Sequence, residues 1–141
     1  MKRYGNLWSS MISFQGLLAA AQAAQRGKRF RPGVASFIYQ LETELLRLHR
    51  VLAEHAYEPS SYRTFYVYDP KKRLISAAPF PDRVVHHAIT RVLEPIFERS
   101  FIANSFACRR GKGTHAAVRA AQGYARRYRY VAFPRSMYHS E

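Results

Sequence analysis

Between Val34 and Leu52 apolar residues recur at steps of three and four, and after Tyr62 the pattern changes to a run of aromatic and β-branched residues. Val34, Phe37, Ile38, Leu41, Leu45, Leu48 and Leu52 share one face of a single helix of about five turns. Glu42, Glu44, Arg47, Arg50 and Glu54 fall mostly off that stripe and form its solvated side. Upstream, Met11 to Ala24 has the composition of a helix, ended by Gly27 and the basic turn Lys28-Arg29-Phe30-Arg31-Pro32-Gly33.

Tyr57-Glu58-Pro59-Ser60-Ser61 interrupts the helical period, and Tyr62 to Tyr68 then has strand composition. Asp69-Pro70-Lys71-Lys72 carries Pro where a type I turn takes it, and Arg73 to Ala78 resumes as a second strand. The two strands predict a hairpin with a basic tip. Pro79 and Pro81 close it, and Asp82 is placed to cap a helix whose apolar positions run from Val84 to Leu93. Pro95 should end or kink that helix. Thr114 can cap a last helix that is rich in Ala and finishes in Arg126-Arg127-Tyr128-Arg129. Tyr130-Val131-Ala132-Phe133 reads as the start of a strand, and nothing periodic follows it.

Composition narrows what such an α+β chain can be. At 141 residues there is room for one ordinary domain, and 48% hydrophobic residues suffice for a core. The lone Cys108 excludes a disulfide framework, and no run nears the roughly 18 apolar residues of a membrane span, so a soluble cytoplasmic protein is expected. The net charge of +14 changes the picture most. Residues 1–33 hold six Lys and Arg without an acid, residues 34–103 hold nine against eight, and residues 104–141 hold eight against one. A nearly neutral body with basic ends points to a polyanion, with nucleic acid as the leading partner.

The chemistry-bearing residues are few. The two aspartates, Asp69 in a turn and Asp82 at a helix start, do not make a two-metal carboxylate site. His86 and His87 point about 100° apart on a helix and cannot clamp one ion, so one should pack and the other face water. Cys108 reads as a small core residue. What remains is cationic: Lys28, Arg29 and Arg31 in the first basic turn, Lys71, Lys72 and Arg73 at the hairpin tip, and Arg109-Arg110-Gly111-Lys112-Gly113 before a helix N-terminus. In the last of these, free backbone N–H groups and the helix dipole already favour an anion.

Four blocks occur in an order that resembles bacterial reverse transcriptases. They are the basic hairpin ending in Arg73-Leu74-Ile75, then Asp82-Arg83-Val84-Val85-His86-His87-Ala88, then Leu93-Glu94-Pro95-Ile96-Phe97, then a loop from Phe106 through Arg109 to His115-Ala116. The short hairpin, the Ala107 to Ala116 loop and the Tyr62-Arg63-Thr64-Phe65 strand are most similar to the enzymes of diversity-generating retroelements and retron-like relatives. The resemblance, over roughly residues 7–131, implies residues 1–56 as an N-terminal helical extension that helps hold template RNA. It implies residues 57–131 as a fingers region, and 132–141 as an irregular tail where a palm is missing or truncated.

By the same resemblance, Arg73 grips a nucleotide triphosphate with Lys71 or Lys72, while Arg109, Arg110, Gly111, Lys112, Gly113 and His115 lie beside template and nucleotide. Mg²⁺ belongs to the full-length polymerase and no cofactor to this chain. The implied function is an N-terminal fragment of an RNA-directed DNA polymerase, inert alone, that binds RNA template or RNA/DNA hybrid, with a palm-containing or acidic partner chain. A small basic RNA- or DNA-binding protein is the alternative reading.

Overall fold

Ser13 decides how the chain begins. Its Oγ accepts a hydrogen bond from the Gly16 amide at 3.1 Å and donates to the Ser10 carbonyl at 2.9 Å. That cap splits the expected Met11–Ala24 helix into α1 (Leu7–Ile12) and α2 (Phe14–Ala24). The corner is tight, because a Cβ on Gly16 would come within 2.7 Å of the Ser10 carbonyl oxygen. The computed structural model describes residues 3–130, and in them six helices and one antiparallel hairpin make an α+β chain. They fall into two compact units, Met1–Ile96 and Phe97–Glu141.

The long helix expected from Val34 to Leu52 is two, α3 (Pro32–Tyr39) and α4 (Leu41–Ala53). Gln40 leaves the helical region at φ −109° and ψ 32°, yet its amide still bonds Ser36 and its carbonyl still accepts from Glu44. A one-residue bend of this kind leaves the apolar stripe in phase on both sides, so periodicity could not reveal it. The stripe itself packs as expected: Val34, Phe37, Leu45, Leu48 and Leu52 are all buried. They meet α2 through Leu17, Ala20, Ala21 and Ala24 in one apolar cluster. Complete burial of Leu17, Leu45 and Leu48 stabilises the unit by about 2 kcal/mol each. The His49 Nδ1 lies 2.8 Å from the Ile12 carbonyl oxygen and Trp8 stacks on His55 at 5.3 Å, which fixes α1 against α4.

Strands β1 (Arg63–Tyr68) and β2 (Lys72–Ala77) pair with Arg63 opposite Ala77 and Tyr68 opposite Lys72. Helix α5 (Phe80–Glu98) follows and buries Phe80, Val84, Val85 and Ala88 in the same cluster. Of the two outcomes expected at Pro95, the structure excludes an end: the helix runs on to Glu98 although Pro cannot donate the backbone bond there. Asp82 is not a cap but the third residue of the helix, 3% exposed, facing inward.

Its carboxylate accepts from the Tyr57 hydroxyl at 2.6 Å, the Ser60 amide at 3.0 Å and the Ser60 hydroxyl at 3.3 Å. The chain that enters the hairpin is thereby tied to the helix that leaves it. Burial, and then the bond to Asp82, push the Tyr57 phenol well above its ordinary range, so it stays a donor.

In the second unit α6 (Thr114–Arg127) starts one residue earlier than a Thr114 cap requires. Gly113 is the N-cap, and having no side chain it makes no cap bond. Cys108, expected to pack in a core, is exposed with φ 56°. Val131, Ala132 and Phe133 of the expected strand start, and the 132–141 tail, lie outside the described residues.

Replacing Asp82 with Ala should lower stability by about 2 to 3 kcal/mol, because bonds to a buried charged acceptor are lost together. Asp69→Ala at the exposed hairpin tip should change it by less than about 0.5 kcal/mol. Urea unfolding of both variants measures the difference; equal midpoints would remove the clamp from the account.

Candidate nucleic-acid interface

The basic turn after α2 is built by short backbone bonds. The Lys28 amide bonds the Gln25 carbonyl at 2.9 Å, the Arg31 amide bonds Lys28 at 3.1 Å, and Gly27 supplies the left-handed φ of 68°. Arg29 and Arg31 are exposed and Phe30 is fully so. The turn gains a cation that sequence reasoning missed. Arg83 of α5 reaches back to donate to the Ala24 carbonyl at 3.3 Å, at the C-terminal end of α2.

Arg83 is the main cause that holds the Lys28 ammonium below its ordinary value, with burial next and Arg31 after it. His87 is also held low, by burial first and then by Arg83, Lys28 and His86. Like charges thus gather where α2 ends and α5 passes, and an arriving phosphate would relieve them. The adjacent histidines divide as expected, His86 exposed and His87 half-buried. The only signal that could have found Arg83 is its place one residue after Asp82, which gives no hint of the reach.

At the hairpin, Lys71 is in the turn while Lys72 and Arg73 are the first two residues of β2. Alternate side chains of a strand leave opposite faces, so Lys72 and Arg73 are not side by side. Lys72 lies over the Tyr66 ring, 4.2 Å from its centre, and 5.9 Å from that of Tyr68. Arg73 faces the other way, opposite Val67.

The loop before α6 separates its cations by task. Arg109 is held from several sides: its Nε and Nη2 donate to Glu98 at 2.9 and 2.5 Å, and its Nη1 to the Ile102 and Ser105 carbonyls at 2.9 and 3.1 Å. With its side chain 10% exposed, Arg109 is the pin of the loop rather than an outstretched contact. The same bond holds the Glu98 carboxyl below the usual range. Lys112 donates to the Ala103 carbonyl and sits over Phe106 at 5.1 Å.

Gly111 and Gly113 take φ of 70° and 104°, conformations that a side chain would strain, and the Gly113 amide bonds Phe106 at 3.1 Å. Arg110 and Lys112 precede the Gly113 cap in the chain, and His115 is the second residue of α6. There the amides of Thr114, His115 and Ala116 have no partner within the helix.

The ion implied by a polymerase does not fit these residues. Asp82 is bonded through both oxygens, Asp69 is exposed in the hairpin turn, and among the described residues no group of three His, Cys, Asp or Glu could hold a metal. Nor is any helix among the described residues long and apolar enough to cross a membrane.

No protein-family profile matches the chain. It is similar to a nuclear intron maturase, mitochondrial, of Arabidopsis thaliana, with 32% identity over 91 residues that cover 53% of this chain. The matched part is 12% of the plant protein, so the chain corresponds to a small piece of that relative.

The His87 environment gives a pH test with a definite sign. A histidine held below its ordinary 6.5 in the fold takes its proton more readily when unfolded. Its contribution to stability is therefore present above about pH 6.5 and is lost as pH falls. Followed by NMR, the His87 ring should titrate below the ordinary value in the folded protein and return towards it on unfolding.

Proposed function

We propose that this chain is the N-terminal RNA-binding part of a reverse-transcriptase-related protein. The observation that carries this reading is the partial likeness to an intron maturase, a kind of protein related to reverse transcriptases. The order of hairpin, Leu93 to Phe97 block and glycine-rich loop supports it, and so does the +14 charge. In this reading residues 1–56 are the helical extension and 57–131 the fingers. The bacterial form, of the kind found in diversity-generating retroelements and retrons, suits the short hairpin. A reducing compartment such as the cytoplasm suits an exposed, unpaired Cys108.

Phosphates are met at three places, two on RNA and one on a nucleotide. The first is the turn of Lys28, Arg29 and Arg31 with Arg83 behind it. The second is the N-terminus of α6, where Lys112, Arg110 and His115 flank open amides and Arg109 keeps the loop in shape. The third is the hairpin, where Arg73 and Lys71 serve a nucleotide phosphate. Arg73 offers the fork that suits a phosphate. A palm-bearing segment or partner would supply carboxylates and Mg²⁺ for chemistry.

Binding to RNA should be nearly independent of sequence and fall steeply with salt, and Lys112→Ala should lower the slope of log affinity against log salt by about one. Titrations at several salt concentrations check this; a flat dependence would refute it. Glu98→Gln separates a shaped loop from mere charge. If the Arg109 clasp shapes the site, this variant weakens RNA binding although it raises the net charge, whereas a simple basic surface binds RNA more tightly. The purified chain should not extend a primer on an RNA template with Mg²⁺ or Mn²⁺, and template-dependent incorporation would overturn that expectation.

A further inference from the structure

The pairing register sorts the hairpin into two unlike faces. Thr64, Tyr66 and Tyr68 of β1 share one face with their partners Ser76, Leu74 and Lys72, while Phe65, Val67, Arg73 and Ile75 share the other. The tyrosine face is the more open. Tyr66 and Leu74 are 53% and 57% exposed, against 41% and 37% for Phe65 and Ile75 at the neighbouring rung. Tyr68 is 70% exposed, and the face carries a cation and no acid. Two open rings on alternate residues of one strand, with an ammonium lying over both, are chemistry for bases joined by phosphate.

We propose that this face is a stacking platform for single-stranded RNA, in which Tyr66 and Tyr68 each take a base and Lys72 takes the phosphate that comes with it. The proposal rests on the RNA-binding reading above and gives it a strand and a mode. The rings stand about 7 Å apart along β1, so each offers its face to a separate base. Lys72 now covers Tyr66, and the incoming phosphate supplies the charge that draws the ammonium off the ring. The strong positive charge of the chain favours a nucleic acid on these rings over a protein surface. Lys72 thereby leaves the nucleotide grip, and Arg73 with Lys71 remains for it.

The test uses the full chain with two probes, an oligoadenylate and an oligomer of abasic ribose phosphates of the same length. The oligoadenylate should bind about tenfold or more tightly over the abasic strand. It should also shift the ring proton resonances of Tyr66 and Tyr68, which the abasic strand should leave in place. Tyr66→Ala with Tyr68→Ala should abolish the preference and leave the salt slope unchanged, while Tyr66→Phe with Tyr68→Phe should keep it. Salt-dependent binding that is equal for both probes, with unmoved resonances, overturns the platform and leaves RNA binding standing. Failure to bind either probe overturns both, and an unaltered preference in the double Ala variant overturns the platform, because the bases then stack elsewhere on the chain.

Discussion

A carboxylate that is 3% exposed needs all of its lone pairs answered, and Asp82 finds its answers in the loop rather than in its own helix. The consequence reaches well beyond α5. Tyr57 and Ser60 belong to the segment that leads into β1, and Asp82 belongs to the helix that follows β2. The hairpin therefore leaves the helical body and returns to it through one bonded junction. A two-stranded hairpin exposed on both faces is marginal by itself, so that junction sets where Tyr66, Lys72 and Arg73 can be.

The cations divide in a related way. Arg109 and Arg83 spend their donors on carbonyl groups or a carboxylate, and in doing so hold a loop and a helix end in place. Lys28, beside Arg83 first of all, and His87, buried first and then faced by Arg83 and Lys28, are by contrast both pushed towards the neutral form. Such crowding opposes the fold unless an anion enters. The glycine-rich loop reaches the same end by another route: a pinned backbone with left-handed Gly111 and Gly113 delivers an uncapped helix start.

Much of the architecture was legible because period and turn chemistry are local. The hairpin, the helix that holds Asp82 and the last helix all lie within a few residues of where alternation, Pro and Gly place them. The breaks at Ser13 and Gln40 were not. Ser13 acts through a side-chain bond that any surface serine could decline, and the Gln40 bend keeps the apolar stripe in phase. Asp82 carried the right residue type for a cap, but its true role needed partners more than twenty positions upstream in the chain. Arg83 and the Arg109 pin were hidden for the same reason, since a count of cations cannot say which are already bonded. The proposal that the basic turns meet phosphate rests on charge and loop geometry.

These features join in the coupling of binding to order. Helices α2 to α5 share a buried cluster that needs no ligand, whereas β1 and β2 contribute no buried side chain. The hairpin thus stands near the low-stability end of the molecule, held by its ladder and by the Asp82 junction. A strand of RNA that covers the tyrosine face would add to it the apolar contact that the protein itself does not supply. Ligand that binds the ordered hairpin and not the frayed one stabilises it by mass action. Loosening the junction should in turn weaken stacking by reducing the fraction of hairpin that is competent to bind. The buried carboxylate and the exposed rings, though they share no contact, would then act on one equilibrium.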